Sequence, residues 1–284
     1  MTRAVIIGCG DTGQRVARLA ADRGWDATGI VRSAESADRL ARSAIAAQAV
    51  DLDQPDPDLP DADLLFHFAP PPRTGDDDPR MAAVLAAYAH RPPRRLIYIG
   101  TSGVYGDCGG DWVTEDRPLN PITDRARRRA AAERRLADWP GAVVILRAPG
   151  IYGPGRLPIE RVRRGEPVLD DADSPWTNRI HIDDLAAAAI AAAERGPDRA
   201  VYNAADGQPT PMGAAYRAIA RRLGLPDPPT ISRAEAERDW SEMRLSFLRE
   251  SRRLDNHRLR DDLGLVLRYP DLNSGLDASL PARG

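Results

Sequence analysis

The 284-residue chain contains no lysine, and all 40 of its basic residues are arginine. Schiff-base chemistry, a phosphate-loop lysine and any proton relay through an ammonium group are therefore excluded. Its two cysteines, Cys9 and Cys108, cannot build a disulfide framework, so a reducing, cytoplasmic compartment is expected. Long apolar runs are missing too. The run 185–193 falls far short of the ~20 residues a membrane helix needs, and the amino terminus enters a strand and a glycine turn, so no secretory signal is expected. Forty basic against 42 acidic groups leave a formal charge of −2, so no global field draws the chain to nucleic acid or to an anionic membrane. Neither a Gly-x-Ser-x-Gly elbow nor a hydrolase order of Ser, His and Asp is found. With 42% hydrophobic and 29% charged residues, the chain is composed like a folded globular protein.

Short apolar runs alternate with helical spacing over the first half. Strands are expected at residues 3–7, 27–31, 47–50, 63–68, 95–99 and 142–147, with helices at 11–23, 34–42, 81–90 and 124–138. That alternation implies an α/β, doubly wound parallel sheet covered on both faces. Residues 106–121 read as a loop. After Pro149 the pattern loosens; a strand at 179–182, an alanine-rich helix at 183–195, helices at 211–223 and 233–238, and short tail elements over 251–269 are expected. Substrate should bind in this second region.

Gly8-Cys9-Gly10-Asp11-Thr12-Gly13 fits G-x-G-x-x-G and stands between a predicted strand and a predicted helix. Gly8 permits the tight turn, Gly10 lets backbone approach a pyrophosphate, and Gly13 allows close packing of helix on strand, with the helix amino terminus facing the anion. Arg32 and Ser33 stand at the end of the second strand, where an NAD enzyme carries Asp or Glu. Arginine favours a 2′-phosphate, so NADP is expected over NAD; the other reading of Arg32 is a solvated surface residue. Cys9, at the same helix terminus, is either a thiol of lowered pKa or a small buried residue in a glycine turn.

The motifs GCGDTG (8–13), GTSGVYG (100–106), EDRPLNP (115–121), LRAPGIYGPGR (146–156), RIHIDDLA (179–186) and YNAADGQP (202–209) together resemble the extended and atypical short-chain dehydrogenases/reductases, grouped with the NAD-dependent epimerases and dehydratases. The resemblance spans nearly the whole chain. It implies a Rossmann doubly wound parallel sheet over 1–150 and a small C-terminal substrate-binding lobe over 151–284, with some elements returning to the sheet. It also implies that Asp51 and Leu52 lie near adenine, Phe68, Ala69 and Pro70 beside the cofactor ribose, and Pro149, Gly150 and Ile151 along the nicotinamide. In such enzymes a Ser or Thr and a Tyr-x-x-x-Lys pair handle the proton. Thr101 falls on the hydroxyl position, Arg125 on the tyrosine position and Arg129 on the lysine position.

Both proton-handling residues are thus replaced by arginine. Arg129 can still hold the cofactor ribose, but neither arginine readily loses a proton. Ser102, Tyr105, Asp124 or an acidic group of the substrate are the remaining proton sources, with Tyr105 ranked low as architecture. Tyr152 and Arg156 are read as architecture as well. Thr177 stands where nucleotide-sugar enzymes of this kind carry a phosphate-holding arginine, which disfavours such substrates; Arg179, Arg163 and Arg164 are the arginines considered for an anion. No metal site is expected, and Asp183 is read as a helix cap. The expected partner is a small-molecule substrate bearing a carbonyl or hydroxyl, with neither nucleic acid nor membrane. The resemblance suggests a homodimer through the helices at 81–90 and 124–138. Two function classes follow: an oxidoreductase or epimerase, or a catalytically inactive NADP-sensing protein.

Overall fold

The computed structural model describes residues 1–280. Seven strands form one sheet: β1 (Arg3–Ile7), β2 (Asp26–Val31), β3 (Ala46–Ala49), β4 (Leu64–His67), β5 (Arg95–Thr101), β6 (Val143–Ala148) and β7 (Ala200–Asn203). Their spatial order is β7-β6-β5-β4-β1-β2-β3, and every pairing is parallel. Alternation along each strand divides the core. Ala4, Ile6, Leu64, Phe66, Ile97 and Ile99 face one side, and Val5, Ile7, Leu65, Leu96 and Tyr98 the other. The sheet is thus buried on both faces, as a parallel sheet with crossover helices requires. It is a doubly wound Rossmann-type α/β fold.

The first face is covered by α1 (Asp11–Ala21) and α5 (Ile182–Arg195), the second by α3 (Pro79–Ala87) and α4 (Asp124–Ala137), while α2 (Ala34–Arg42) links β2 to β3. Helix α5 lets the sheet come close because its buried stripe is mostly alanine. Helix α3 begins at Pro79 instead of the expected 81. Asp78 caps it, its carboxylate accepting from Met81 N at 3.1 Å, and proline at the first helical position loses no hydrogen bond. The cap of α5 also differs from expectation. His181 Nδ1 accepts from Asp183 N, and the Asp183 carboxylate turns to Arg15 at 2.6 Å.

Strand β7 was not among the sequence-predicted strands, since Ala200–Asn203 offers only Val201 and Tyr202 as strand formers. It lies after residue 150, yet pairs with β6 and places buried Tyr202 in the sheet core. Within 106–121, Trp112–Val113 pairs in parallel with Arg253–Leu254, so the tail straps back over the read loop. Beyond the sheet, Tyr152, Val162, Ile219, Leu272 and Leu276 form a separate small core. Among the described residues no helix is long and apolar enough to cross a membrane.

Candidate active site

Strand order reverses between β1, which runs on to β2, and β4, its other neighbour. The carboxyl ends of β1 and β4 therefore open a crevice at the switch point, the usual ligand position in such sheets. Three glycines shape it. Gly8 has φ +81°, and a Cβ there would lie 2.4 Å from Ala69 N, so only glycine lets β1 turn against the end of β4. At Gly13 a Cβ would meet Ile6 Cγ2 and Gly8 O at 3.1 Å, the packing of α1 on β1. Gly10 is different, because the nearest atom to its Cβ position is Gly8 O, 4.0 Å away, and the glycine faces open space. A cradle with one open glycine at a helix amino terminus fits a dinucleotide pyrophosphate.

From this cradle a cavity of about 830 Å³ runs across the ends of the strands. Its walls include Gly8, Gly10, Asp11, Thr12, Phe68 and Pro70 at one end, then Thr101, Arg129, Pro149, Gly150 and Ile151. A second cavity adjoins it and is lined by Cys9, Gly10, Arg32, Ser36, Arg39 and Arg42. The remaining sequence-selected residues line neither. Gly13 packs behind the cradle, and the Ala69 backbone lies under Gly8. Ser33 caps α2 by accepting from Ser36 N. Leu52 packs on the core, and Asp51 lies 3.5 Å from Arg32. Arg32 is also 3.5 Å from Asp53, whose charge is shared with Arg80 at 2.7 Å. Cys9 is buried, with burial pushing its thiol up to about 11, so it is the inert alternative of the two.

At the reacting end, Thr101 Oγ1 accepts from Gly103 N at 3.2 Å, which leaves its own O–H free to donate into the cavity. Arg129 is half-buried. Its Nη1 donates to Tyr98 Oη and to Ile99 O, both at 3.2 Å. Tyr98 is fully buried with its pKa pushed up to about 12 by burial, so it is a neutral hydroxyl that accepts from the guanidinium. Arg125 lines the same cavity from the first turn of α4. Of the candidate proton sources, only Ser102 is in the wall. Asp124 points outward to Arg127 at 2.7 Å, and Tyr105 is buried between Asn203 Oδ1, to which it donates at 2.7 Å, and the Arg147 guanidinium.

The chain matches the model of the NAD dependent epimerase/dehydratase family over residues 4–205. It belongs to that family. Protein YeeZ of Escherichia coli (strain K12) is 28% identical over 284 residues, covering 95% of this chain and 97% of that one. The structure of a functionally unknown conserved protein from Silicibacter pomeroyi superposes with a TM-score of 0.88 at 31% identity, covering 98% of both chains. A 3-diazoavenalumate denitrifying reductase from a Streptomyces species is 29% identical over 195 residues, 64% of each chain.

Family motifs that resemble a site turn out to be architecture where they are tied down. Tyr152 donates to Asp271 O at 3.2 Å, and Arg156 is paired with Asp11 at 2.8 Å across the cavity mouth. Arg179 is buried and donates to the hydroxyls of Thr210 and Thr177, while Arg163 and Arg164 pair with Glu160 and Glu166. None of these three arginines lines the cavity, so they are not its anion contacts. Arg73, Arg252 and Trp176 line it instead. Sequence reading passed over them because each lies in a loop or a two-residue strand, and the only signal was Arg73 following the switch-point strand β4.

His67 ends β4 fully buried, stacked on Tyr98 at 5.9 Å, with neither ring nitrogen hydrogen-bonded. Burial first, and the Arg129 charge second, pull its pKa down to about 3 from the ordinary 6.5. Between those values the unfolded chain binds a proton that the folded chain refuses. Stability is therefore retained above the ordinary value and is lost as pH falls through the window. We expect His67→Phe to flatten this loss: urea midpoints of wild type and variant should diverge between about pH 7 and about pH 4, with the variant losing less.

Proposed function

We propose that the chain is an NADP(H)-dependent oxidoreductase or epimerase of the atypical short-chain type, acting on a small substrate at a carbon that bears oxygen. The observation that carries this reading is one continuous cavity joining the glycine cradle to Thr101 and Arg129. Gly8, Gly10, Asp11 and Thr12 would hold the pyrophosphate, Phe68 and Pro70 the ribose, and Pro149 to Ile151 the nicotinamide. Bound there, the dinucleotide supplies or accepts a hydride at nicotinamide C4. In the reducing direction the substrate oxygen would gain negative charge as an alkoxide. Thr101 donates a hydrogen bond to that oxygen, and Arg129 places a fixed positive charge beside it, which lowers the barrier without releasing a proton. The alkoxide then takes its proton from water or from an acidic group of the substrate. A reductase among the relatives is consistent with hydride chemistry on this scaffold.

NADP is favoured over NAD by the adjoining cavity, whose lining includes Arg32, Arg39 and Arg42, with Arg39 paired to Glu35. Asp51 and Asp53 offset part of that charge, but Asp53 is already held by Arg80. Calorimetric titration is the test. Arg32→Ala should weaken NADP+ by about tenfold, the loss of one charge-assisted contact, and leave NAD+ within about twofold. Equal weakening of both would show that Arg32 does not read the 2′-phosphate, and no dinucleotide binding at all would overturn the oxidoreductase reading. A sensor without catalysis would instead bind the oxidised and reduced forms with different affinity and turn over no carbonyl.

A further inference from the structure

The wall of the large cavity carries six arginines, Arg73, Arg125, Arg128, Arg129, Arg156 and Arg252, and two carboxylates, Asp11 and Glu250. Both acids are already spoken for. Asp11 is bound by Arg15 and Arg156 at the cofactor end, and Glu250 accepts from Arg252 at 2.7 Å. The hydrogen-bond partners of Arg129 are neutral, a phenol and a backbone carbonyl, with the buried Asp78 carboxylate near enough to feel its charge. Arg128 donates to Gly75 O at 2.6 Å. Arg73 is exposed on the loop after β4 and makes no hydrogen bond or ion pair among the described residues. Asp124 hydrogen-bonds to Arg127 and also lies within the field of Arg128.

Across this chain arginines and acids are nearly equal in number and pair freely on the surface, so a cavity wall with six arginines and two carboxylates carries a local excess of positive charge. Partly enclosed positive charge of this kind attracts and holds an anion more strongly than the same charge in water. The lining also includes Trp176 and Met212; the Trp176 ring carries the Arg253 guanidinium 5.3 Å from its centroid. Together the arginines and these two apolar side chains suit a molecule with an anionic end and a planar apolar body.

We propose that the substrate is a small organic acid, bound with its carboxylate on Arg73 and Arg129 and its planar part against Trp176 and Met212. Guanidinium presents the paired donors that a carboxylate matches. The assignment names the substrate class of the proposed oxidoreductase site and rests on that reading.

The test reads binding without turnover. Cinnamate and its neutral isostere cinnamamide are titrated into the full chain with and without saturating NADP+, following tryptophan fluorescence and heat. Cinnamate is expected to bind at least about tenfold tighter than cinnamamide, to weaken as salt rises, and to lose that preference in Arg73→Gln while NADP+ affinity stays unchanged. Equal binding of acid and amide, binding of neither, or a preference untouched by Arg73→Gln would overturn the assignment. Tighter binding of phenyl phosphate than of cinnamate would overturn the carboxylate. Failure of NADP+ itself to bind, seen in its own titration, would bring down the oxidoreductase reading separately, with the acid titration of the free chain still reporting on the arginine wall.

Discussion

Gly10→Val is expected to fold and to lose dinucleotide binding by at least about 100-fold, or roughly 3 kcal/mol. Gly10 has φ −79°, a conformation that any residue adopts, and a Cβ there meets nothing closer than 4.0 Å. The free protein thus has room for the valine, and its melting temperature should change little. A bound pyrophosphate has no such tolerance, because the open face of Gly10 is where it must approach the α1 amino terminus. Gly8→Ala supplies the contrast. There φ is +81° and the added Cβ would stand 2.4 Å from Ala69 N, a backbone atom that cannot swing away. This variant should lose stability first, with binding lost as a consequence. Thermal melts alongside calorimetry separate the two. Wild-type affinity in Gly10→Val would show that the cofactor does not lie on this cradle.

Glu133→Ala should cost about 3–5 kcal/mol of folding stability, a large share of the ~5–15 kcal/mol typical of a domain. Glu133 on α4 and Arg147 on β6 form a pair in which both side chains are under a tenth exposed, closest at 2.8 Å. Burial works against the Arg147 charge, but the Glu133 hydrogen bonds and charge more than offset it, so its pKa stays above the ordinary arginine value. Arg147 also donates to Tyr105 Oη and to Glu115 O, and Tyr105 donates in turn to Asn203 on β7. Truncating Glu133 leaves a guanidinium buried with no counter-charge in the joint between α4, β6 and β7. Urea unfolding measures the loss. Replacing both partners, Glu133→Leu with Arg147→Met, should recover most of it, because the cost lies in the unpaired charge and not in the missing salt bridge. Glu35→Ala, which removes an exposed pair with Arg39, should change stability by under about 0.5 kcal/mol. A loss in Glu133→Ala as small as that would refute the buried-charge argument.

The glycine cradle was legible from sequence because its three glycines answer to local demands, a left-handed turn, an open face and a helix packed on a strand, each set within a few residues of the glycine. The other six strands of the sheet and the four helices between them were legible for a similar reason, since the periodicity of a strand or helix is a local property of its own residues. Arg125 and Arg129 were placed by counting along one helix. What the sequence could not determine depends on residues distant along the chain. β7, no shorter than β3 or β4, stands apart from the alternation of the first half and joins the sheet because α5 delivers it to the free edge of β6. The cap of α5 passed from Asp183 to His181 because Arg15, 168 positions away, draws the Asp183 carboxylate. The pairing of Glu133 with Arg147 comes from a helix laid over a strand. The arginine-rich wall belongs to the same class. Arg73, Arg129 and Arg252 lie on three separate segments and line one cavity only because the fold brings them together. Backbone conformation is settled by neighbours in sequence, whereas charge balance in a cleft is settled by neighbours in space, and only the tertiary structure supplies those.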